Sequence, residues 1–202
     1  MEVHTRLDQA NALFPQNLWI KRNLSATERE IGMLALLVRN YALSQVFFKR
    51  YRKSSADPGE AEKLLKKVEE KRSEVEKAQV QRIEEIMGEL DKAPPVQGMV
   101  NEYVTEIIKM SGEHVVRKLL PFLDSKNDWQ RRIAIESLGK LGDVQAKFQG
   151  KDSVEWLVEK LKAVDLSKRQ DEAEEIVWAL GRLRDERAEK AVNAIRWKGG
   201  DR

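Results

Sequence analysis

The phrases "ESLGKLGD" (residues 136–143) and "WALGRLRD" (residues 178–185) repeat one pattern. Aligned on Leu138 and Leu180, they lie forty-two residues apart and share Leu, Gly, a basic residue, Leu and Asp. Self-similarity at a fixed period of about 20–50 residues is typical of proteins built from stacked structural repeats. The two phrases therefore predict two equivalent units in the second half of the chain.

Helical spacing dominates the rest of the chain as well. Apolar residues recur every three to four positions, and there is no sustained alternation of the kind that marks a strand. The predicted fold class is all-α: an N-terminal helical region with a long helical hairpin, followed by a short, degenerate α-solenoid. In the second half the predicted helices span residues 97–110, 113–124, 128–141, 152–164, 169–183 and 186–197.

The N-terminal hairpin is predicted from two capping signals. Ser25 begins an S-x-x-E capping box, which predicts a helix that runs to about Lys53. Apolar residues wrap around this helix, so we expect it to be buried on several sides. Asp57 is the predicted N-cap of a second helix that runs to about Leu90. The two helices are expected to form a long antiparallel hairpin.

The repeated phrases and their surroundings resemble a known family. "VVRKLLPFLDSKNDWQRRIAIESLGKLGD" (115–143) reads as an apolar helix, a capped turn and a second helix, and residues 154–185 follow the same plan. This pattern resembles the HEAT repeat, especially the short type of phycobilisome-lyase-like proteins. Residues 185–195 resemble the start of a third, truncated repeat. The resemblance covers about 112–197, and no family resemblance is apparent for the N-terminal half.

The chain is accordingly divided at the Pro94-Pro95 pair, because the residue before a proline is disfavoured in a helix. Residues 1–95 form the predicted N-terminal helical region, and residues 96–202 form the predicted HEAT-like repeats.

Several positions within the repeats have a predicted packing role. Gly139 and Gly181 lack a side chain, so each is expected to let a neighbouring helix approach closely, at about 1 kcal/mol of lost helix propensity. Gly142 is expected to end its helix in the left-handed conformation, whereas the second copy has Arg184 there. The Asp that ends each phrase is expected to cap the following element.

Function is expected where the two copies differ. Residues 131–132 are Arg-Arg, whereas the second copy has Ala-Glu at 173–174, and Trp178 occupies the position of Glu136. In the HEAT family the second helices commonly line the concave face, where partners bind, and Trp with Arg is typical of interface hot spots. Alternatively, Trp178 packs under the C-terminal helix against Trp197. The predicted partner contacts are Arg131, Arg132, Lys140, Trp178 and Arg182.

The predicted function is a non-catalytic protein–protein interaction module, an adaptor, scaffold or assembly subunit that binds a protein through the concave repeat surface. The alternative is nucleic-acid binding, because a class of DNA glycosylases resembles this design and holds DNA with basic and aromatic residues. "VFFKRYRK" (46–53) interleaves both types, although its aromatics can equally be buried while its cations complement a helix C-terminus. The possible nucleic-acid contacts are Lys49, Arg50, Arg52 and Lys53.

Catalysis and membrane insertion are not expected. The chain has no cysteine, and its two histidines, His4 near a terminus expected to be mobile and His114 at a helix start, show no metal-ligand spacing. An enzyme of lyase type therefore rests on family analogy alone, and no cofactor or metal is predicted. The longest uncharged apolar run, residues 31–38, is too short to span a bilayer. We expect a cytoplasmic protein with a net charge of +3, which can also self-associate through its hairpin.

Overall fold

A computed structural model describes residues 2–14, 16–142 and 146–199, and this part of the chain is almost entirely helical. The all-α class predicted from the sequence is thereby confirmed. A short 3-10 segment, Leu120–Asp124, follows α6 at Pro121. The helices are α1 (Glu2–Leu13), α2 (Leu18–Leu37), α3 (Tyr41–Ser54), α4 (Pro58–Lys92), α5 (Gln97–Met110), α6 (Glu113–Leu119), α7 (Asp128–Leu141), α8 (Ser153–Ala163), α9 (Gln170–Leu183) and α10 (Glu186–Gly199).

The chain divides into two compact units between Glu76 and Lys77, inside α4. The sequence placed this boundary at residue 95, at the proline pair. The difference arises because the second half of α4 supplies buried side chains to the core of the second unit. These side chains belong to Ile83, Ile86, Met87 and Leu90.

Two helices stand where the sequence predicted one helix over residues 25–53. Helix α2 begins earlier than predicted, because the Asn17 Oδ1 atom accepts a hydrogen bond from the Trp19 amide at 3.0 Å. It ends at Leu37, and Arg39 then adopts a left-handed conformation with φ of 59°. Asn40 caps α3 by accepting from the Leu43 amide at 3.1 Å. Asn40 thus begins a new helix after a break, residues 38–40, that contains neither glycine nor proline.

Helices α2 and α3 pack closely as an antiparallel pair. A Cβ atom on Gly32 would lie 2.5 Å from Cε1 of Phe48, so only glycine fits at this crossing. The Ser44 hydroxyl donates to the Gly32 carbonyl at 2.9 Å, and the Ser54 hydroxyl donates to Glu28 nearer the start of α2. The hairpin of the N-terminal unit is thus α2–α3, and not the predicted pair of one helix over residues 25–53 with the helix that begins after Asp57.

The predicted start of α4 is confirmed. The Asp57 Oδ1 atom accepts hydrogen bonds from the amides of Gly59 at 2.9 Å and Glu60 at 3.3 Å. The Glu60 carboxylate in turn accepts from Tyr51 on α3 at 2.5 Å and from Arg29 on α2 at 2.8 Å. These contacts attach the first turn of α4 to the α2–α3 pair.

The second unit consists of successive helix pairs. Helix α6 with its 3-10 segment precedes α7, helix α8 precedes α9, and α7 packs directly on α9. A Cβ on Gly139 would lie 2.7 Å from the Ala179 Cα atom, which confirms the close approach predicted there. The same prediction is wrong for Gly181, because a Cβ atom on this exposed residue would have no neighbour within 4 Å. Gly181 instead lines a cavity of about 410 Å³ between α9 and α10.

The helix ends of the two copies match. Gly142 is left-handed with φ of 68°, as predicted, and Arg184 adopts the same conformation with φ of 52°. Asp185 accepts a hydrogen bond from the Arg187 amide at 2.9 Å and thus caps α10, as predicted. The corresponding Asp143 lies outside the described residues.

Arg184→Gly is expected to stabilise the second unit by about 1 kcal/mol. A side chain in the left-handed conformation costs roughly 1–2 kcal/mol, which glycine avoids at some cost in unfolded-state entropy. Urea denaturation measures the change. Arg184→Ala is the control, because it removes the charge and keeps the Cβ atom. If alanine stabilised the protein as much as glycine, backbone strain would not be the cause.

A small β-hairpin joins the two copies. Strands β1 (Lys147–Phe148) and β2 (Lys151–Asp152) pair antiparallel across Gln149 and Gly150, whose φ values of 52° and 81° suit a two-residue type I′ turn. Trp156 of α8 donates its indole N–H to the Phe148 carbonyl at 3.2 Å. The hairpin therefore belongs to the packed structure.

Candidate interaction surface

The outward side chains of α7 and α9 form one surface, because residues three and four apart share a helix face and the two helices touch at Gly139. We call this surface the α7–α9 face. It contains most of the predicted partner contacts. Its members are Arg132, Glu136 and Lys140 on α7, and Glu175, Trp178 and Arg182 on α9.

Trp178 is the large apolar side chain of this face, and 44% of its surface is exposed. The Arg182 guanidinium lies 5.1 Å from the centroid of its indole ring, within the range of a cation–π contact. The sequence left open whether Trp178 was exposed or covered, and the structure places it at the surface. The side chain of Trp197, the predicted covering residue, lies outside the described part.

Arg131 is not part of the face, contrary to the prediction. It is only 8% exposed, and its guanidinium donates to the Ser125 carbonyl at 2.7 Å and to Glu172 at 3.1 Å. A further hydrogen bond joins it to Asp128. These bonds connect the turn before α7 with the start of α9, so the role of Arg131 is to hold the two copies together.

Arg132 and Lys140 lie on the face, and each is paired with a carboxylate. The Arg132 Nε atom lies 2.8 Å from Glu175, and its guanidinium lies 5.7 Å from the centroid of the Trp129 ring. Burial raises the pKa of Glu175, and Arg132 opposes that shift. Lys140 donates to Glu136 at 2.7 Å. The α7–α9 face thus carries paired charges of both signs around an exposed tryptophan.

A polar cavity of about 390 Å³ adjoins the face at the starts of α7 and α9. Its lining carries four acidic and four basic side chains and the indole of Trp129. Because the charges balance, the cavity has no strong preference for an anionic ligand.

The basic segment of α3 has exposed cations and buried aromatics. The cations predicted as nucleic-acid contacts, all exposed, are Lys49, Arg50, Arg52 and Lys53. The buried aromatics are Phe47, Phe48 and Tyr51. These rings belong to the core of the N-terminal unit and present no face on which a base could stack, so only the charges remain available for nucleic acid.

The two histidines differ in environment. His114 Nε2 lies 2.5 Å from the Gln79 side-chain oxygen and joins α6 to α4. His4 was expected near a mobile terminus, but it lies within α1 and is only 3% exposed. The sequence carries one signal for this, an Asp one helical turn later at position 8.

Comparison of the chain with protein families, with curated proteins and with solved structures found no match. No helix of the described residues combines the length and the apolar character that crossing a membrane requires. The function is therefore inferred from the surfaces of the chain itself.

Proposed function

We propose that the protein is a non-catalytic adaptor or assembly subunit, built on HEAT-type repeats, that binds a protein partner through the α7–α9 face. The observation that carries this proposal is the exposed indole of Trp178 with the Arg182 guanidinium stacked on it. The helix pairs in succession and the glycine crossing at Gly139 support the repeat assignment. A cytoplasmic location agrees with a chain that has no cysteine.

An exposed tryptophan favours a protein partner for a physical reason. Its side chain buries about 150–250 Å² when covered, and Trp and Arg dominate the energetic centres of protein interfaces. The Arg132–Glu175 and Lys140–Glu136 pairs provide the polar surroundings that such centres have. We therefore expect the partner to insert an apolar group against Trp178 and to meet both signs of charge.

Nucleic-acid binding through Lys49, Arg50, Arg52 and Lys53 is the alternative, and the observation in its favour is that these cations are exposed. Two of them face carboxylates: Arg50 lies 3.7 Å from Asp8, and Arg52 lies 3.9 Å from Glu62. Binding to phosphates would give a steep dependence on salt concentration, whereas contacts with a protein give a shallow one.

Substitution of Trp178 by Ala is expected to weaken partner binding at least ten-fold, which corresponds to about 1.4 kcal/mol. The partner is first isolated by affinity capture from the native host, with and without nuclease, and its affinity is then measured. Trp19→Ala is the matched control, because Trp19 is also exposed but lies on α2 of the other unit. Arg182→Ala tests the stacked cation separately.

Two results would contradict the proposal. The first is unchanged capture by a folded Trp178→Ala variant that retains the wild-type circular dichroism spectrum. The second is loss of capture after nuclease treatment, together with a steep salt dependence, which would favour the nucleic-acid alternative.

Self-association through the N-terminal hairpin is the second partner mode that we propose. Exposed apolar side chains cluster at the turn between α2 and α3, where Leu37 is 75% exposed, and contiguous exposed apolar groups mark contact surfaces. The cluster comprises Leu34, Leu37, Val38, Leu43 and Val46.

Leu37→Glu is expected to shift any dimer of the purified chain to monomer, as measured by light scattering after size exclusion. A charge at this position would have to be desolvated in an apolar contact. Leu166→Glu is the control, since Leu166 is exposed outside the hairpin. A wild-type chain that remains monomeric at high concentration would contradict self-association.

A further inference from the structure

A buried histidine in the N-terminal unit lies between two carboxylates. His4 Nδ1 lies 3.3 Å from Asp8 on α1, and its Nε2 lies 3.5 Å from Glu28 on α2. The edge of the ring packs against Phe47 of α3, with centroids 5.1 Å apart. Three helices thus converge on one imidazole.

Two buried polar atoms at this place have no hydrogen-bond partner. One is Nε2 of the buried His4, and the other is Oδ1 of Asn11. Buried polar atoms nearly always have a hydrogen-bond partner. Two such atoms without one therefore need an explanation, and a bound ion is one. Asn11, Asp8 and Glu28 also line one cavity of about 1100 Å³.

The spacing of the polar atoms allows one ion to be shared by three side chains. His4, Asp8 and Glu28 each offer one ligand atom, and these atoms lie within 4.8 Å of one another. Two ligand atoms bound to a tetrahedral ion at about 2.0–2.1 Å are separated by about 3.4 Å. The separation of 3.5 Å between His4 Nε2 and Glu28 is close to this value and exceeds the length of a good hydrogen bond. Asp8 faces the other ring nitrogen, Nδ1, at 3.3 Å, so its side chain must turn for both carboxylates to meet an ion on Nε2.

The burial of Glu28 favours a bound cation. Its side chain is only 4% exposed, and burial raises the pKa of its carboxyl group because it disfavours the charged form, a cost that a cation would offset. The Ser54 hydroxyl donates to Glu28 and holds its orientation, as outer hydrogen-bond partners do around metal ligands. Half of the Asp8 side chain is exposed, which gives an ion access from solvent, and the ion would compete for this carboxylate with Arg50 at 3.7 Å.

We propose that His4, Asp8 and Glu28 bind one divalent transition-metal ion, with Zn²⁺ as the probe. One imidazole nitrogen with two carboxylate oxygens, and no thiolate, suits Zn²⁺ or Mn²⁺. Mg²⁺ is a poor candidate, because it requires octahedral oxygen ligands and retains its water. The bound ion fastens α1 to the α2–α3 pair and is independent of the α7–α9 face.

Calorimetric titration of the full chain with Zn²⁺ tests the proposal. The protein must carry no polyhistidine tag, because the tag would itself bind zinc. We expect one ion per chain, an increase in Tm with zinc, and no competition from millimolar Mg²⁺. His4→Gln is expected to weaken binding more than about 100-fold, beyond the 10–100-fold that loss of an outer hydrogen-bond partner costs.

Two further variants keep the test informative if His4→Gln does not fold. Asp8→Asn changes an exposed side chain and preserves its shape, and we expect it to weaken zinc binding at least ten-fold. His114→Gln is the control, because it removes the other histidine and should leave the affinity unchanged. Absence of zinc binding in the wild type would overturn the proposal, as would equal loss in His114→Gln. A Tm that depends on pH but not on zinc would overturn it as well.

Discussion

Arg131→Ala is expected to lower the free energy of unfolding of the second unit by about 2–3 kcal/mol, which is below the range of about 3–5 kcal/mol for leaving a buried charge with no partner. Arg131 is 8% exposed, and its guanidinium bonds to Glu172, to Asp128 and to the Ser125 carbonyl. Alanine would remove the partner that reaches the largely buried Glu172 from α7, and would leave this carboxylate paired only with Arg169 at the start of its own helix. The lost interactions therefore exceed those of an ordinary surface pair.

Urea denaturation followed by tryptophan fluorescence measures this loss, because four of the five tryptophans lie beyond residue 77. Arg132→Ala is the matched control. It removes a neighbouring arginine of the same helix whose ion pair with Glu175 is more exposed, so we expect a change of about 0–1 kcal/mol. Equal losses in both variants would show that Arg131 has no special structural role. Combining Arg131→Ala with Glu172→Gln should recover part of the loss, since it also removes the buried charge that Arg131 compensates.

The contrast between Arg131 and Arg132 shows what the sequence alone cannot predict. Both residues were predicted to contact a partner, because the two copies differ at these positions. Burial of Arg131 depends on Glu172, which is forty-one residues away along the chain and reaches it only after α9 has packed on α7. By contrast, the bounds of α7 could be predicted from local chemistry, including the left-handed Gly142 at its end.

Other features were missed in the sequence for equally specific reasons. The break between α2 and α3 lacks glycine and proline, so the apolar pattern continues across it, and only Asn40, the N-cap of α3, marks it in the sequence. Strands β1 and β2 have two residues each, which is too short for an alternating pattern to be visible. The cluster around His4 brings Glu28 from the next helix, and no spacing rule within one helix reveals that neighbour.

Gly139→Val is expected to destabilise the second unit by about 2–3 kcal/mol, near the upper end of the usual cost of overpacking. A Cβ at this position would lie 2.7 Å from the Ala179 Cα atom and 2.8 Å from its Cβ. Since the nearest atom belongs to the backbone of α9, the clash cannot be relieved by rotating a side chain, and the two helices must separate. The separation would also disturb the Arg131–Glu172 pair.

Gly181→Val provides the comparison within the same protein, because this glycine occupies the equivalent place in the second phrase. Nothing lies within 4 Å of its Cβ position, so we expect a change within about 0.5 kcal/mol, as for other exposed substitutions. Urea denaturation of both variants measures the difference. If the two valines cost the same, the loss would reflect valine in a helix. If only Gly139→Val is destabilising, the Leu-Gly pair specifies a helix contact in the first copy. The second copy then has the same two residues without the contact.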